Sequence, residues 1–96
     1  MNIIVAYDIS LESEGGAKRL RKVAKVCKNF GKRVQKSVFE CSVDAMQLEV
    51  LIHELERTMK KEEDSLKIYR MMEPKEKAVI TLGLNMEMDF EKPLVL

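Results

Sequence analysis

The chain has 96 residues, a formal net charge of +1, a hydrophobic fraction of 46% and no tryptophan. This length holds one small aliphatic core, so we expect a single domain over residues 1–96. No apolar stretch approaches the roughly 20 residues of a membrane span, and the N-terminus lacks a signal-peptide pattern. We therefore expect a cytoplasmic protein with no membrane partner. Cys27 and Cys41 fit neither a disulfide framework nor a zinc motif, which predicts reduced packing residues.

The first predicted element is an apolar strand that ends at an acid. Residues 3–7 read Ile-Ile-Val-Ala-Tyr, and Asp8 follows them. A run of this kind is typical of a strand buried on both faces, which would hold the carboxylate firmly beside a loop. An acid in that place could bind a metal. Asp residues also commonly start turns, and the strand alone favours that simpler role for Asp8.

A helix is predicted from about residue 16 to residue 30. Its apolar positions follow the helical period and are Ala17, Leu20, Val23, Ala24, Cys27 and Phe30. The opposite face gathers five cations, Lys18, Arg21, Lys22, Lys25 and Lys28. Arg19 falls at the margin of the apolar arc, so we expect it to point over the sheet, near Asp8. Gly31 is expected to end the helix as a left-handed cap.

The basic residues are concentrated in one segment. Residues 18–36 contain no acid and nine basic side chains, at Lys18, Arg19, Arg21, Lys22, Lys25, Lys28, Lys32, Arg33 and Lys36. Such a segment inside a nearly neutral protein indicates a polyanionic partner. A solvated helix face is the alternative, but solubility does not require one sign of charge, and we favour nucleic acid.

The rest of the chain completes an alternating order of strands and helices. Residues 34–43 are extended with a bend near residues 36–37, and Asp44 with Gln47 forms a capping box that starts a second helix. The buried stripe of this helix is Leu48, Leu51, Ile52, Leu55 and Met59. Residues 65–70 and 79–82 are predicted strands, and the apolar residues 94–96 are expected at a sheet edge. This order predicts an α+β, ferredoxin-like βαββαβ sandwich with an extra C-terminal strand.

Carboxylate chemistry is the chemistry that these residues favour. The one histidine, His53, is expected to be exposed, and no nucleophile system or Gly-rich phosphate loop is present. A single Asp8 suits Mg²⁺, which keeps several waters, and a two-fold dimer would bring a second Asp8 to the same place. A Mg²⁺-bound water beside Arg19, Arg21 and Arg33 would suit phosphodiester cleavage.

Four segments, residues 3–9, 18–24, 33–40 and 64–69, together resemble the CRISPR-associated protein two family. The resemblance implies a ferredoxin-like homodimer with Mg²⁺ shared by Asp8 residues at the dimer axis, and residues 84–96 as an extension that pairs with the partner chain. It also implies an endonuclease on single-stranded RNA or duplex DNA, or a scaffold that holds duplex DNA for a CRISPR integrase subunit. The implied cleavage residues are Tyr7, Asp8, Arg19, Arg21, Arg33 and Phe39.

Several alternatives stay open at this point. Tyr7 and Phe39 could be core aromatics, and Arg33 could cap the first helix instead of binding phosphate. The dimer could be a non-catalytic architectural subunit in which Asp8 is structural. A ferredoxin-like regulator or toxin-type ribonuclease outside CRISPR is the third interpretation, because this fold supports many functions.

Overall fold

The structure is a computed structural model that describes residues 1–83. It contains strands β1 (Asn2–Asp8), β2 (Gly31–Gln35), β3 (Val38–Ser42) and β4 (Ser65–Met71), with helices α1 (Gly16–Lys28), α2 (Ala45–Thr58) and α3 (Lys75–Ala78). The strands form one antiparallel sheet in the order β2-β3-β1-β4. The α+β class and the βαββαβ order of the first six elements are therefore confirmed. Among the described helices, none is long and apolar enough to cross a membrane.

The central strand β1 divides its side chains between two faces of the sheet. Ile3, Val5 and Tyr7 are buried in the core, whereas Ile4 and Ala6 on the other face are only half-buried. Helices α1 and α2 contribute Val23, Cys27, Leu51 and Leu55, among others, to the same core, so they cover one face alone. Within residues 1–83, the prediction that β1 is buried on both faces is wrong, because no element of comparable size there covers the second face.

Helix α1 is shorter than predicted, and its buried face differs at two positions. It ends at Lys28, and Ala17 is exposed whereas Arg19 is buried. The left-handed cap predicted at Gly31 is wrong, since Gly31 has no positive φ and begins β2. A Cβ there would lie 2.1 Å from the Glu40 carbonyl oxygen. The glycine is required by the close approach of β2 to β3.

The second half of the domain follows its predicted start signals closely. β2 and β3 are separated by the turn at residues 36–37, with a register shift between Arg33 and Gln35. The capping box at α2 is present, since the Gln47 amide donates to the Asp44 carboxylate at 2.7 Å and the Asp44 amide donates to the Gln47 side chain at 2.9 Å. Cys27 and Cys41 are buried free thiols, as predicted.

The strand predicted at residues 79–82 is not formed. Pro74 starts the short helix α3, whose Lys75 ammonium binds the Glu40 carboxylate at 2.9 Å, and the following Ile80 and Leu82 are 85% and 89% exposed. This apolar segment meets no strand within residues 1–83, so periodicity alone could not produce one. The predicted extension at 84–96 lies outside the described residues.

Candidate nucleic-acid interface and the Asp8 strand end

Asp8 lies at the end of β1 on the face of the sheet that α1 and α2 leave open, here called the uncovered face. Its carboxylate is exposed, and in the register it pairs with Ser65, the first residue of β4. Within residues 1–83, no three His, Cys, Asp or Glu side chains are close enough to form a metal cluster. The described part of one protomer therefore presents Asp8 without a ready-made ligand cluster, which fits an ion that keeps several waters and takes further ligands from elsewhere.

Three of the predicted cleavage residues lie on the opposite, covered face. Tyr7 and Phe39 have ring centroids 6.3 Å apart, and the Arg33 guanidinium carbon is 5.2 Å from the Phe39 centroid. Phe39 is fully buried, and burial raises the pKa of Tyr7, a rise that the neighbouring Arg33 side chain opposes. The Tyr7 hydroxyl has no well-oriented hydrogen-bond partner among the described residues. The cluster of Tyr7, Arg33 and Phe39 therefore packs against the covered face of the sheet, on the side opposite Asp8.

Arg19 is the fourth predicted cleavage residue, and it is engaged in a buried ion pair. Its Nε donates to Asp64 Oδ2 at 2.9 Å and its Nη2 donates to Asp64 Oδ1 at 3.2 Å. The remaining donors reach the Glu14 carbonyl at 2.8 Å and the Glu63 carboxylate at 3.4 Å. Its side chain does point over the sheet end, as the periodicity predicts. Its partner, however, is Asp64, and its hydrogen-bonding groups are already used.

We call this arrangement of Arg19 and Asp64 the clasp. The Asp64 carboxylate also accepts the backbone amides of Ser10 at 3.0 Å and Lys60 at 2.8 Å. Ser10 follows Asp8 by two residues, and Asp64 directly precedes Ser65, the residue that pairs with Asp8. The clasp therefore holds both chain segments that flank Asp8. Hydrogen bonds, with that from Arg19 first, lower the pKa of Asp64 to about 2.

Asp64 is the residue that sequence reasoning missed. It lies at the end of the charged segment 60–64, whose composition does not separate it from Glu62 or Glu63. Its position immediately before an alternating strand was the available signal, because a strand-end acid near a helix start can meet a buried cation. Its carboxylate is fully buried, whereas the Glu63 side chain remains 39% exposed.

The cationic face predicted for α1 is present. Lys18, Arg21, Lys22, Lys25 and Lys28 are all exposed. Arg21, the fifth of the cleavage residues named besides Asp8, belongs to this exposed face and lies on a helix that packs over the covered side of the sheet. The face is exposed to solvent, but α1 packs on the covered side of the sheet whereas Asp8 lies on the uncovered side.

Lys67 is a cation that shares the uncovered face with Asp8. Lys67 pairs with Ala6 in the register. This pair lies two residues along the strands from the Asp8–Ser65 pair, and so on the same face. Directly opposite residues of antiparallel strands project to the same face, so Lys67, Ala6 and Asp8 lie together there. The alternation of residues 65–70 already separates Lys67 from Leu66 and Ile68, but only the pairing register shows that its neighbour is Asp8.

Comparison with known proteins assigns the chain to a family. The family model described as CRISPR associated protein Cas2 matches residues 1–79. A CRISPR-associated endoribonuclease Cas2 of Moorella thermoacetica is 55% identical, with 100% of both chains covered, and a CRISPR-associated endonuclease Cas2 of Halalkalibacterium halodurans is 47% identical, with 99% of each covered.

Solved structures agree with this result. The crystal structure of Streptococcus pyogenes Cas2 at pH 6.5 matches with a TM-score of 0.77 and 41% identity, covering 86% of this chain and 100% of that one. A hypothetical protein from Thermus thermophilus matches with a TM-score of 0.73 and 36% identity, covering 86% and 90%. The chain belongs to the CRISPR-associated Cas2 family.

Proposed function

We propose that this protein acts in CRISPR adaptation as a homodimer that binds nucleic acid and cleaves phosphodiester bonds with Mg²⁺ at paired Asp8 residues. The observation that carries the proposal is the position of Asp8. It is an exposed carboxylate held at the end of a central strand, on the face that the helices within residues 1–83 leave open. The printed names of the similar proteins, endoribonuclease and endonuclease, support the same class of reaction.

The uncovered face supports the dimer. Ile4, Ala6 and Val38 lie on this face, and no helix of the described range covers them. Tyr69 pairs opposite Ile4 while remaining 52% exposed. Met72, Ile80 and Leu82, which follow β4 in the chain, are even more exposed. Apolar surface of this extent is characteristic of an interaction site, since a sheet normally buries both faces or exposes polar side chains on one. A second copy related by two-fold symmetry would cover it and add a second Asp8.

In that dimer the two Asp8 carboxylates would hold the metal, with water completing its shell. When bound, Mg²⁺ supplies a more acidic water and neutralises charge on a phosphate. Lys67 offers a further positive charge on the same face for the substrate phosphate. Arg19 and Asp64 act indirectly, because the clasp fixes the two segments that carry Asp8 and Ser65.

A specific observation also favours a second function, that of a non-catalytic architectural subunit. Within residues 1–83, Tyr7, Arg33 and Phe39 lie on the covered face, and Arg19 is engaged by Asp64. A single protomer therefore surrounds Asp8 with few of the predicted cleavage residues. In this function the dimer holds duplex DNA through α1 while a CRISPR integrase subunit performs the chemistry, and Asp8 needs no metal.

Cleavage assays with a matched control separate the two functions. Labelled single-stranded RNA and duplex DNA are incubated with the full chain in Mg²⁺ or EDTA, using the parent, Asp8→Ala and Glu12→Gln. Glu12 is an exposed acid in the loop that follows β1, so its substitution changes charge near the same end of the sheet. The nuclease proposal predicts Mg²⁺-dependent cleavage that only Asp8→Ala abolishes. Equal cleavage by all three proteins, or none, contradicts it and favours the architectural function.

A further inference from the structure

We propose that the cleft between the start of α1 and the end of α2 binds a phosphodiester group, so that the bound strand continues from α1 onto the loop before β4. This inference rests on the proposed nucleic-acid binding and extends it to Arg57 and Lys60. Neither residue belongs to the basic segment 18–36. The cleft has a volume of about 740 Å³ and lies beside the clasp.

Cations from two separate parts of the fold line this cleft. Lys18 and Lys22 contribute from α1, and Arg57 and Lys60 contribute from the end of α2 and its exit loop. Lys18 and Lys22 are one helical turn apart and so project side by side. Lys18 and Arg57, which are 39 positions apart in the sequence, thus line the same opening. Solvation of a single helix face does not explain this convergence of charges.

The charges in the cleft are available to a ligand to different degrees. In the described part of the chain, the Lys18, Lys22 and Lys60 ammonium groups have no carboxylate within ion-pair distance. Arg57 contacts Glu54 at 3.3 Å but keeps 65% of its side chain exposed. Arg19 also borders the cleft, yet Asp64 and Glu63 already balance its charge. Glu14 is the acid among the lining residues, which leaves a net positive opening.

The clasp keeps Lys60 in place. The Lys60 amide donates to the Asp64 carboxylate at 2.8 Å, and the Lys60 carbonyl accepts the Asp64 amide at 2.8 Å. The backbone that carries this lysine is therefore fixed before any ligand arrives, which lowers the entropy lost on binding. Lysine ammonium groups are point charges suited to phosphate, and a nucleic-acid backbone supplies phosphates at regular spacing.

The adjacent residue Lys61 provides a matched control. It lies in the same loop and carries the same charge, but it pairs with Glu56 at 3.1 Å and does not line the cleft. Lys60→Gln and Lys61→Gln change the net charge equally, so long-range electrostatic effects cancel between them. A lost phosphate contact is expected for Lys60→Gln alone, whereas Lys61→Gln breaks only its exposed ion pair with Glu56.

The test is the salt dependence of duplex DNA binding by the full chain in EDTA, followed by fluorescence anisotropy. Each lost contact should reduce the log–log slope by about 0.9. We expect that reduction for Lys60→Gln and a much smaller change for Lys61→Gln, with equal thermal stability. Glu14→Gln should tighten binding, whereas Glu12→Gln should not. A titration with inorganic phosphate distinguishes an isolated phosphate site from a strand-binding site.

The outcomes separate this inference from the proposed function. If Lys25→Gln flattens the slope but Lys60→Gln behaves like Lys61→Gln, nucleic-acid binding stands and the cleft proposal is overturned. It is overturned equally if inorganic phosphate binds at Lys60 while Lys60→Gln leaves the salt dependence of duplex binding unchanged. If the parent binds neither duplex DNA nor single-stranded RNA, both proposals fail together.

Discussion

The two faces of the sheet differ in how complete they are within one chain. The covered face closes on α1 and α2 with a buried core of residues such as Ile3, Val5 and Phe39. The uncovered face presents Asp8, Lys67 and Tyr69 with no helix of similar size over them in the described range. The difference indicates that the covered face specifies the fold, and the uncovered face is where we propose the partner chain and the chemistry.

Removing Phe39 should have the largest effect, and that effect should be on stability. Phe39→Ala leaves a cavity in a site that is fully buried, so the free energy of unfolding should fall by about 3–5 kcal/mol. Denaturant unfolding measures this loss. Phe39→Leu keeps most of the volume and should retain both fold and cleavage. If Phe39→Leu folds normally but loses nucleic-acid binding, Phe39 contacts the ligand and the distinction between the faces is wrong.

Asp8→Asn should separate activity from stability. Mg²⁺-dependent cleavage should fall by at least about a hundredfold, as expected for loss of a key catalytic group. The metal-free dimer should be as stable as the parent or more stable, because two facing carboxylates repel each other. Single-turnover cleavage and thermal unfolding in EDTA give the two values. Duplex binding in EDTA should be unchanged, since the cationic face of α1 is untouched.

The contrary results for Asp8→Asn are equally clear. Parent-like cleavage by the variant would place the activity elsewhere or in a contaminant. A large loss of stability in EDTA would mean that Asp8 has a structural role within the chain, as its alternative interpretation as a turn residue implies.

The clasp should produce a smaller effect that appears in acid. The pKa of Asp64 is lowered from 3.8 to about 2 in the folded state, chiefly by Arg19. Its contribution to stability is therefore complete above about pH 4 and is lost as the pH falls towards 2. Asp64→Asn should unfold roughly 5–10 °C lower at pH 7 and show less acid dependence over that window. Thermal unfolding followed across pH 2–7 tests this, and parallel curves for parent and variant would contradict it.

The sequence predicted the elements well where a local rule applies. The capping box at Asp44 and Gln47, the cationic face of α1 and the turn at residues 36–37 each depend on neighbours in the chain. The predicted strand at residues 79–82 failed because strand formation needs a partner edge, which periodicity does not supply. The cap predicted at Gly31 failed because this glycine is required by the close approach of β3, whose contacting residues are about ten positions away in the sequence.

The site was predicted less completely for the same reason. Asp8 and its position at the strand end followed from the apolar run, but which residues surround it depended on the register and on long-range pairing. Arg19 pairs with Asp64, which is 45 positions away in the sequence, and not with Asp8. Tyr7 and Phe39 separated from Asp8 because successive strand residues alternate between faces, so adjacency in sequence placed Tyr7 and Asp8 on opposite sides.

The central claim is that the uncovered face becomes a metal site only when two copies share it. Counting bound Mn²⁺, a paramagnetic substitute for Mg²⁺, by electron paramagnetic resonance on the full chain tests this directly. With the molecular mass measured in the same solution, the account predicts a dimer that binds about one ion per two chains, as two-fold sharing requires, and Asp8→Asn that binds none. One ion per chain, or unchanged binding by Asp8→Asn, would contradict the account.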